Sequence, residues 1–132
     1  MSGLEPVAIV IGAVVSSALG AAWYSPALFG PAWIRELGLN EEDLAPDAVA
    51  MVGSIVSCFV AATAIDFLVG STGASGWIEG LGVGALVGLG IVAMTMLSDA
   101  LFSGWSRKLY AIQLGYRALY LVLMGALSGA WR

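Results

Sequence analysis

Nineteen consecutive residues between Glu79 and Asp99 carry no charge. At about 1.5 Å per residue, a helix of that length nearly crosses a hydrocarbon core of roughly 30 Å. The surrounding stretch, GWIEGLGVGALVGLGIVAMTMLSDALFSGW, spaces Gly76, Gly80, Gly84 and Gly88 four residues apart. At 100° per residue these glycines form one slowly winding strip without side chains. Such a strip weakens a helix in water. In lipid it favours association, because helices there are held by close backbone approach. Asp99 follows Gly88 by eleven residues, three turns plus about 20°, so an unbroken α-helix places its carboxylate near the same face.

The rest of the chain fits this reading. Its 132 residues are 60% hydrophobic and only 11% charged, where about a quarter would be charged in a soluble domain. The mean hydropathy is +0.94, so the core of the protein is the membrane. Five basic residues, scattered along the chain, leave no electrostatic footprint for nucleic acid. There is no histidine, hence neither the commonest metal ligand nor the usual neutral-pH base. No nucleophile–base or metal set is visible, so the chain is expected to be non-enzymatic and to need no cofactor. Cys58, the single cysteine, reads as inert packing in an apolar run.

The expected architecture is all-α: residues 1–132 form a single four-span membrane bundle, with spans at about 6–25, 47–70, 77–102 and 108–131. The first span opens at Pro6 without the basic flank of a signal peptide. Gly12, Ser16 and Gly20 give it a small-residue strip for packing. It ends in an interfacial motif, Trp23, Tyr24, Ser25 and Pro26, followed by Phe29, Gly30 and Trp33. Pro31 should open a short interfacial helix that Gly38 closes. Asn40 and Asp43 have the spacing of a capping box for a further turn, and Pro46 with Asp47 begins span two. In that span Gly53, Ser57 and Ala61 share a face. Asp66 lies about 140° from Gly53 and is expected to reach headgroups or water. A short uncharged link, Gly70 to Gly76, makes spans two and three a hairpin. Span four shows a seam of Tyr110, Gln113, Arg117, Tyr120, Met124, Leu127 and Trp131, and closes with the small pair Gly125 and Gly129.

Arg117 is too deep in its span to be an ordinary anchor residue. It enters from the membrane side on which span three ends, so it is expected to pair with Asp99. Gln113, Thr95, Tyr110 and Tyr120 would complete a polar intramembrane centre. Such a pair can serve a solute path, or it can merely set the register of helices three and four. Arg35, Arg107 and Lys108 lie on one side and Arg132 on the other, which favours both termini outside the cytoplasm.

Several of these stretches together resemble an uncharacterised prokaryotic family of four-span membrane proteins, domain of unknown function seventeen-sixty-one. They are Trp23-Tyr24-Ser25-Pro26 with Leu28-Phe29-Gly30 and Trp33, then Gly38-Leu39-Asn40-Glu41-Glu42-Asp43-Leu44. Later come the Phe102 turn, Gly115-Tyr116 and Met124-Gly125. The resemblance covers nearly the whole chain and implies topology and residence in a cell membrane. It supplies no reaction, ligand or partner. Two functions stay open from the residues alone. One is an oligomeric channel or transporter for a small solute or ion. The other is a non-catalytic structural or assembly subunit that binds other membrane proteins through its glycine faces. Beyond the lipid bilayer, the expected partner is a second copy of the chain or another membrane protein.

Overall fold

A computed structural model describes residues 3–40 and 47–132. The proposed turn at Asp43 and the Pro46 start of span two lie outside the described residues. The elements are α1 (Pro6–Trp23), α2 (Gly30–Leu37), α3 (Ala48–Ser71), α4 (Trp77–Ala85), a π-helical segment (Leu86–Val92), α5 (Ala93–Ser103) and α6 (Arg107–Ala130). From α4 to α5 the helix is continuous, so among the described residues four helices are long and apolar enough to cross a membrane. The fold is an all-α four-helix bundle with the short α2 between its first two spans.

Local chemistry sets the ends of these helices. Pro6 occupies the first turn of α1, where its missing N–H costs nothing. The Asp47 carboxylate accepts from the Ala50 N–H at 2.7 Å and caps α3. Gly38 and Gly104 end α2 and α5 at φ 72° and 71°, a left-handed backbone that favours glycine. Ser106 caps α6 by accepting from the Leu109 N–H at 3.0 Å, and its hydroxyl donates to Glu36 at 2.9 Å. That second bond ties the start of span four to the interfacial helix.

The tightest packing is between α4 and α6. A Cβ on Gly80 would collide with the Gly125 carbonyl oxygen, and one on Gly125 would meet that of Gly80. Gly84 sits likewise on the Leu121 carbonyl, and Gly129 on that of Gly76. The Gly76 N–H even donates to the Gly129 carbonyl at 2.9 Å, a backbone bond between helices. Only paired glycines permit such an approach. The glycine faces of spans three and four are thus occupied within one chain. In α1, Gly12 faces Ala62 and Met124, and Gly20 lies against the Tyr116 hydroxyl.

The face of α6 that the bundle buries is Leu109, Ile112, Leu121, Met124, Gly125, Ser128 and Gly129. This corrects the seam read from the sequence. Of that seam only Met124 is fully buried, and Trp131 is exposed. The seam followed the large and polar residues, whereas the buried face joins the small Gly125, Ser128 and Gly129 to Leu109, Ile112, Leu121 and Met124.

Candidate functional site

The interfacial motif builds one end of the bundle. The Trp23 indole N–H donates to the Ile112 carbonyl at 2.9 Å, and its ring packs against Gly115 and Phe29, 4.6 Å between centroids. Gly30 lies so close beneath the turn that a Cβ there would come within 2.5 Å of the Tyr24 carbonyl oxygen. Ser25 donates to the Ala22 carbonyl at 2.7 Å, holding the turn before Pro26. From this turn an aromatic chain runs inward: Trp33 on Tyr24 at 4.6 Å, Tyr24 on Tyr116 at 5.6 Å, and Tyr116 on Tyr120 at 4.9 Å. The Tyr116 hydroxyl donates to the Ser16 carbonyl at 2.9 Å, fixing span four to span one.

Beside this chain the bundle opens. Residues 48–57 of α3 are exposed, and contact with the bundle begins at Cys58. The splayed half leaves a cleft of about 460 Å³ between α1 and α3, lined by Ser17, Gly20, Tyr24, Ser54, Cys58 and Tyr116 among others. Its walls are mostly small or apolar; its polar atoms are hydroxyls and a thiol. The lining from Ala50 to Cys58 rises through eight residue steps of helix, about 12 Å, most of one leaflet's hydrocarbon depth. Below it lies a dry layer in which Ala13, Ala62, Leu121 and Met124 are buried together.

At the far end of that layer sits a buried ion pair that sequence reasoning missed. Arg132 Nη2 lies 3.1 Å from Asp66 Oδ1, with side chains 5% and 1% exposed. The Ser128 hydroxyl donates to Asp66 Oδ1 at 2.5 Å, and the Glu5 N–H donates to Oδ2 at 2.8 Å. The Asp66 carbonyl also accepts from Arg132 at 3.1 Å. One carboxylate therefore gathers the start of span one and the ends of spans two and four. The expectation that Asp66 reaches headgroups is corrected. Its face is Cys58, Ala62, Ile65 and Val69, all buried, whereas the Gly53 face used as reference looks into open space. The available signals were this spacing and the topology, which puts the ends of spans two and four on one side.

The pair expected between Asp99 and Arg117 does not form; among the described residues the ion pair that forms is Arg132 with Asp66. The reason is the π-helical segment. Gly80, Gly84 and Gly88 are buried at four-residue steps, but the next buried residue, Ala93, comes five later, and then Ala100. A π turn bonds i to i+5 and absorbs the extra residue, shifting the phase of everything after it. Ala93 and Ala100 then carry the packed face, and Asp99 stands about 100° round the helix from Ala100, exposed. The rest of the expected polar centre also divides. Thr95 is exposed and bonds back to the Val92 carbonyl at 3.0 Å. Tyr110 donates to the Ala93 carbonyl at 2.6 Å. Arg117 points toward the interface, where Nη1 donates to the Gln113 carbonyl at 2.9 Å. There it reaches the Tyr24 phenol.

Fold and site together have the character of a small polytopic membrane protein, with four helices long and apolar enough to cross a membrane among the described residues, a cleft at one end of three helices and a buried ion pair at the other. A family model described as "Protein of unknown function (DUF1761)" matches residues 7–129, and the chain belongs to that family. No curated protein and no solved structure matches it.

Proposed function

We propose that the protein takes a small amphipathic solute from one leaflet into the cleft between α1 and α3 and passes it along the line where α1, α3 and α6 meet. The observation that carries this is the cleft itself: its volume of about 460 Å³ falls in the range of small-molecule sites. It is open toward lipid, with hydroxyls on its floor. The buried layer and the Asp66–Arg132 pair close the other end, so passage requires that end to open. The reading is non-catalytic, since Asp66, the buried acid, is fully engaged in bonds to three segments. Arg35, Arg107 and Lys108 sit at the cleft end, while Arg132 is tied to Asp66. The positive-inside tendency then puts the cleft at the cytoplasmic leaflet and the termini outside.

The test is transbilayer movement of an acyl amphiphile carrying a nitrobenzoxadiazole label in proteoliposomes, read by dithionite quenching. Movement above that in protein-free liposomes, abolished by Ser54→Trp in the cleft wall, is the expected result. Movement equal in both proteins removes the reading.

A second reading, as a subunit that docks another membrane protein or a second copy, is favoured by the outer half of α3. Gly53 there meets nothing within 4 Å, and Val49 is 81% exposed. Gly84→Leu cannot test it, because Gly84 packs on α6 of its own chain. Gly53→Leu can: it should leave the monomer folded and abolish co-purification of the neighbour. Unchanged co-purification excludes this face.

A further inference from the structure

Two buried or half-buried arginines in this chain are treated differently. Arg132 meets a carboxylate. Arg117, ten residues into α6, has no carboxylate within 4.0 Å among the described residues. A guanidinium carries five N–H donors; one goes to the Gln113 carbonyl, and the Tyr24 phenol lies within reach of another. A cation inside a spanning helix is costly without an opposite charge, and such residues mark functional sites by default. Nearby, the Trp33 indole nitrogen is buried without an acceptor among the described residues, a donor that costs free energy until it finds a partner. Trp33 stacks on Tyr24, Arg117 lies beside Tyr24, and Tyr24 lines the cleft. The Trp33 indole and the Arg117 guanidinium thus bring N–H donors together here, and no carboxylate of the described residues lies within 4.0 Å of Arg117.

Resting on the cleft reading above, we infer that the occupant is an anionic amphiphile drawn from the adjoining leaflet, its acid group held at Tyr24 and Arg117 and its hydrocarbon chain running toward Cys58. Three features select this chemistry. The uncompensated charge asks for an anion, and the bidentate fork of arginine suits a carboxylate or phosphate. The apolar walls, about 12 Å deep, ask for a chain. The Trp23–Tyr24 turn belongs at headgroup level, which places the acid where a lipid's polar group already sits. A neutral amphiphile would leave Arg117 as costly as before, and a small hydrophilic anion would leave the cleft unfilled.

The experiment compares pyrene-decanoic acid with pyrene-decanol on protein in nanodiscs of neutral lipid, read by energy transfer from tryptophan to pyrene. The acid should bind at least about tenfold more tightly, one charge-assisted contact's worth. Arg117→Gln should bring the two probes together, and Arg117→Lys should restore part of the preference, separating charge from folding. Acetate in hundredfold excess should displace nothing. Equal binding of acid and alcohol to the unaltered protein overturns the charge inference and leaves the cleft standing. Displacement by acetate overturns the chain. Undiminished binding of both probes to Ser54→Trp overturns the cleft reading itself.

Discussion

Span four packs against two partners in opposite ways. Toward α4 it presents Gly125 and Gly129, and backbone meets backbone so closely that no Cβ fits at Gly80 or Gly84. Toward α1 and α3 it presents Tyr116, Met124 and Ser128, and the contact loosens toward one end until α3 leaves the bundle altogether. The first contact has no room for ligand or motion. The second is closed at the Asp66 end by an ion pair and open at the Tyr24 end. In lipid, where apolar burial drives little, this contrast amounts to a division of labour: the glycine seam supplies rigidity, and the three-helix line carries the polar groups and the space. The proposed solute path therefore follows the more loosely packed side.

The largest effect expected from a single substitution is at the closed end of the loose side. Arg132→Ala leaves Asp66 buried with only the Ser128 hydroxyl and the Glu5 N–H. Breaking a buried pair from one partner costs about 3–5 kcal/mol. Thermal unfolding followed by circular dichroism in detergent measures the loss, and the double variant Asp66→Asn with Arg132→Ala should recover part of it. A loss under 1 kcal/mol would mean that the closure is not held by this pair. Next comes Gly80→Ala on the tight side. One methyl against the Gly125 carbonyl forces α4 from α6, and overpacking of that kind costs about 1–3 kcal/mol. An unchanged melting temperature would show that the seam can give, which removes the contrast.

Much of the tight side was legible from sequence and much of the loose side was not. Four-residue spacing of Gly80, Gly84 and Gly88 states the packed strip directly, because glycine's effect on helix approach is local and periodic; Gly76 instead caps α4 at φ 85°, with open space where a Cβ would sit. The Pro31-to-Gly38 interfacial helix was equally plain from its punctuation, and the structure has α2 at Gly30–Leu37 with Gly38 as its cap. The π turn left only a faint mark, a five-residue step from Gly88 to Ala93. Assuming an unbroken α phase therefore carried Asp99 to the wrong face. Asp66 was misjudged for a related reason: its phase was measured from Gly53, which faces nothing. Arg117 was expected to turn back toward the start of its span and meet Asp99 there; it turns that way but meets the Gln113 carbonyl instead. Its Cβ tilts toward the start of α6, and so the guanidinium reaches Gln113 and Tyr24 rather than α5.

Smaller effects sharpen the comparison by showing what should not matter. Gly82 lies two residues from Gly80 on the same helix, yet a Cβ there meets nothing within 4 Å. Gly82→Ala should be neutral or stabilise by up to about 1 kcal/mol, the helical preference of alanine over glycine. Set beside Gly80→Ala, it separates contact from propensity within one helix.

Asp99→Asn should do least. Asp99 is exposed in the last turn of α5, just before the Gly104 cap. A negative charge there opposes the partial charge of the helix end, so neutralising it should gain a few tenths of a kcal/mol at most. Because Asp99 lies away from the cleft, probe binding and transbilayer movement should also stay at the level of the unaltered protein. The same neutral substitution at Asp66 removes a charge that Arg132 faces at 3.1 Å, so the two carboxylates should differ sharply in melting temperature. If Asp99→Asn instead lowers stability by more than 1 kcal/mol, or abolishes movement, then α5 has a polar contact that the π turn was argued to forbid. The phase argument would fall with it.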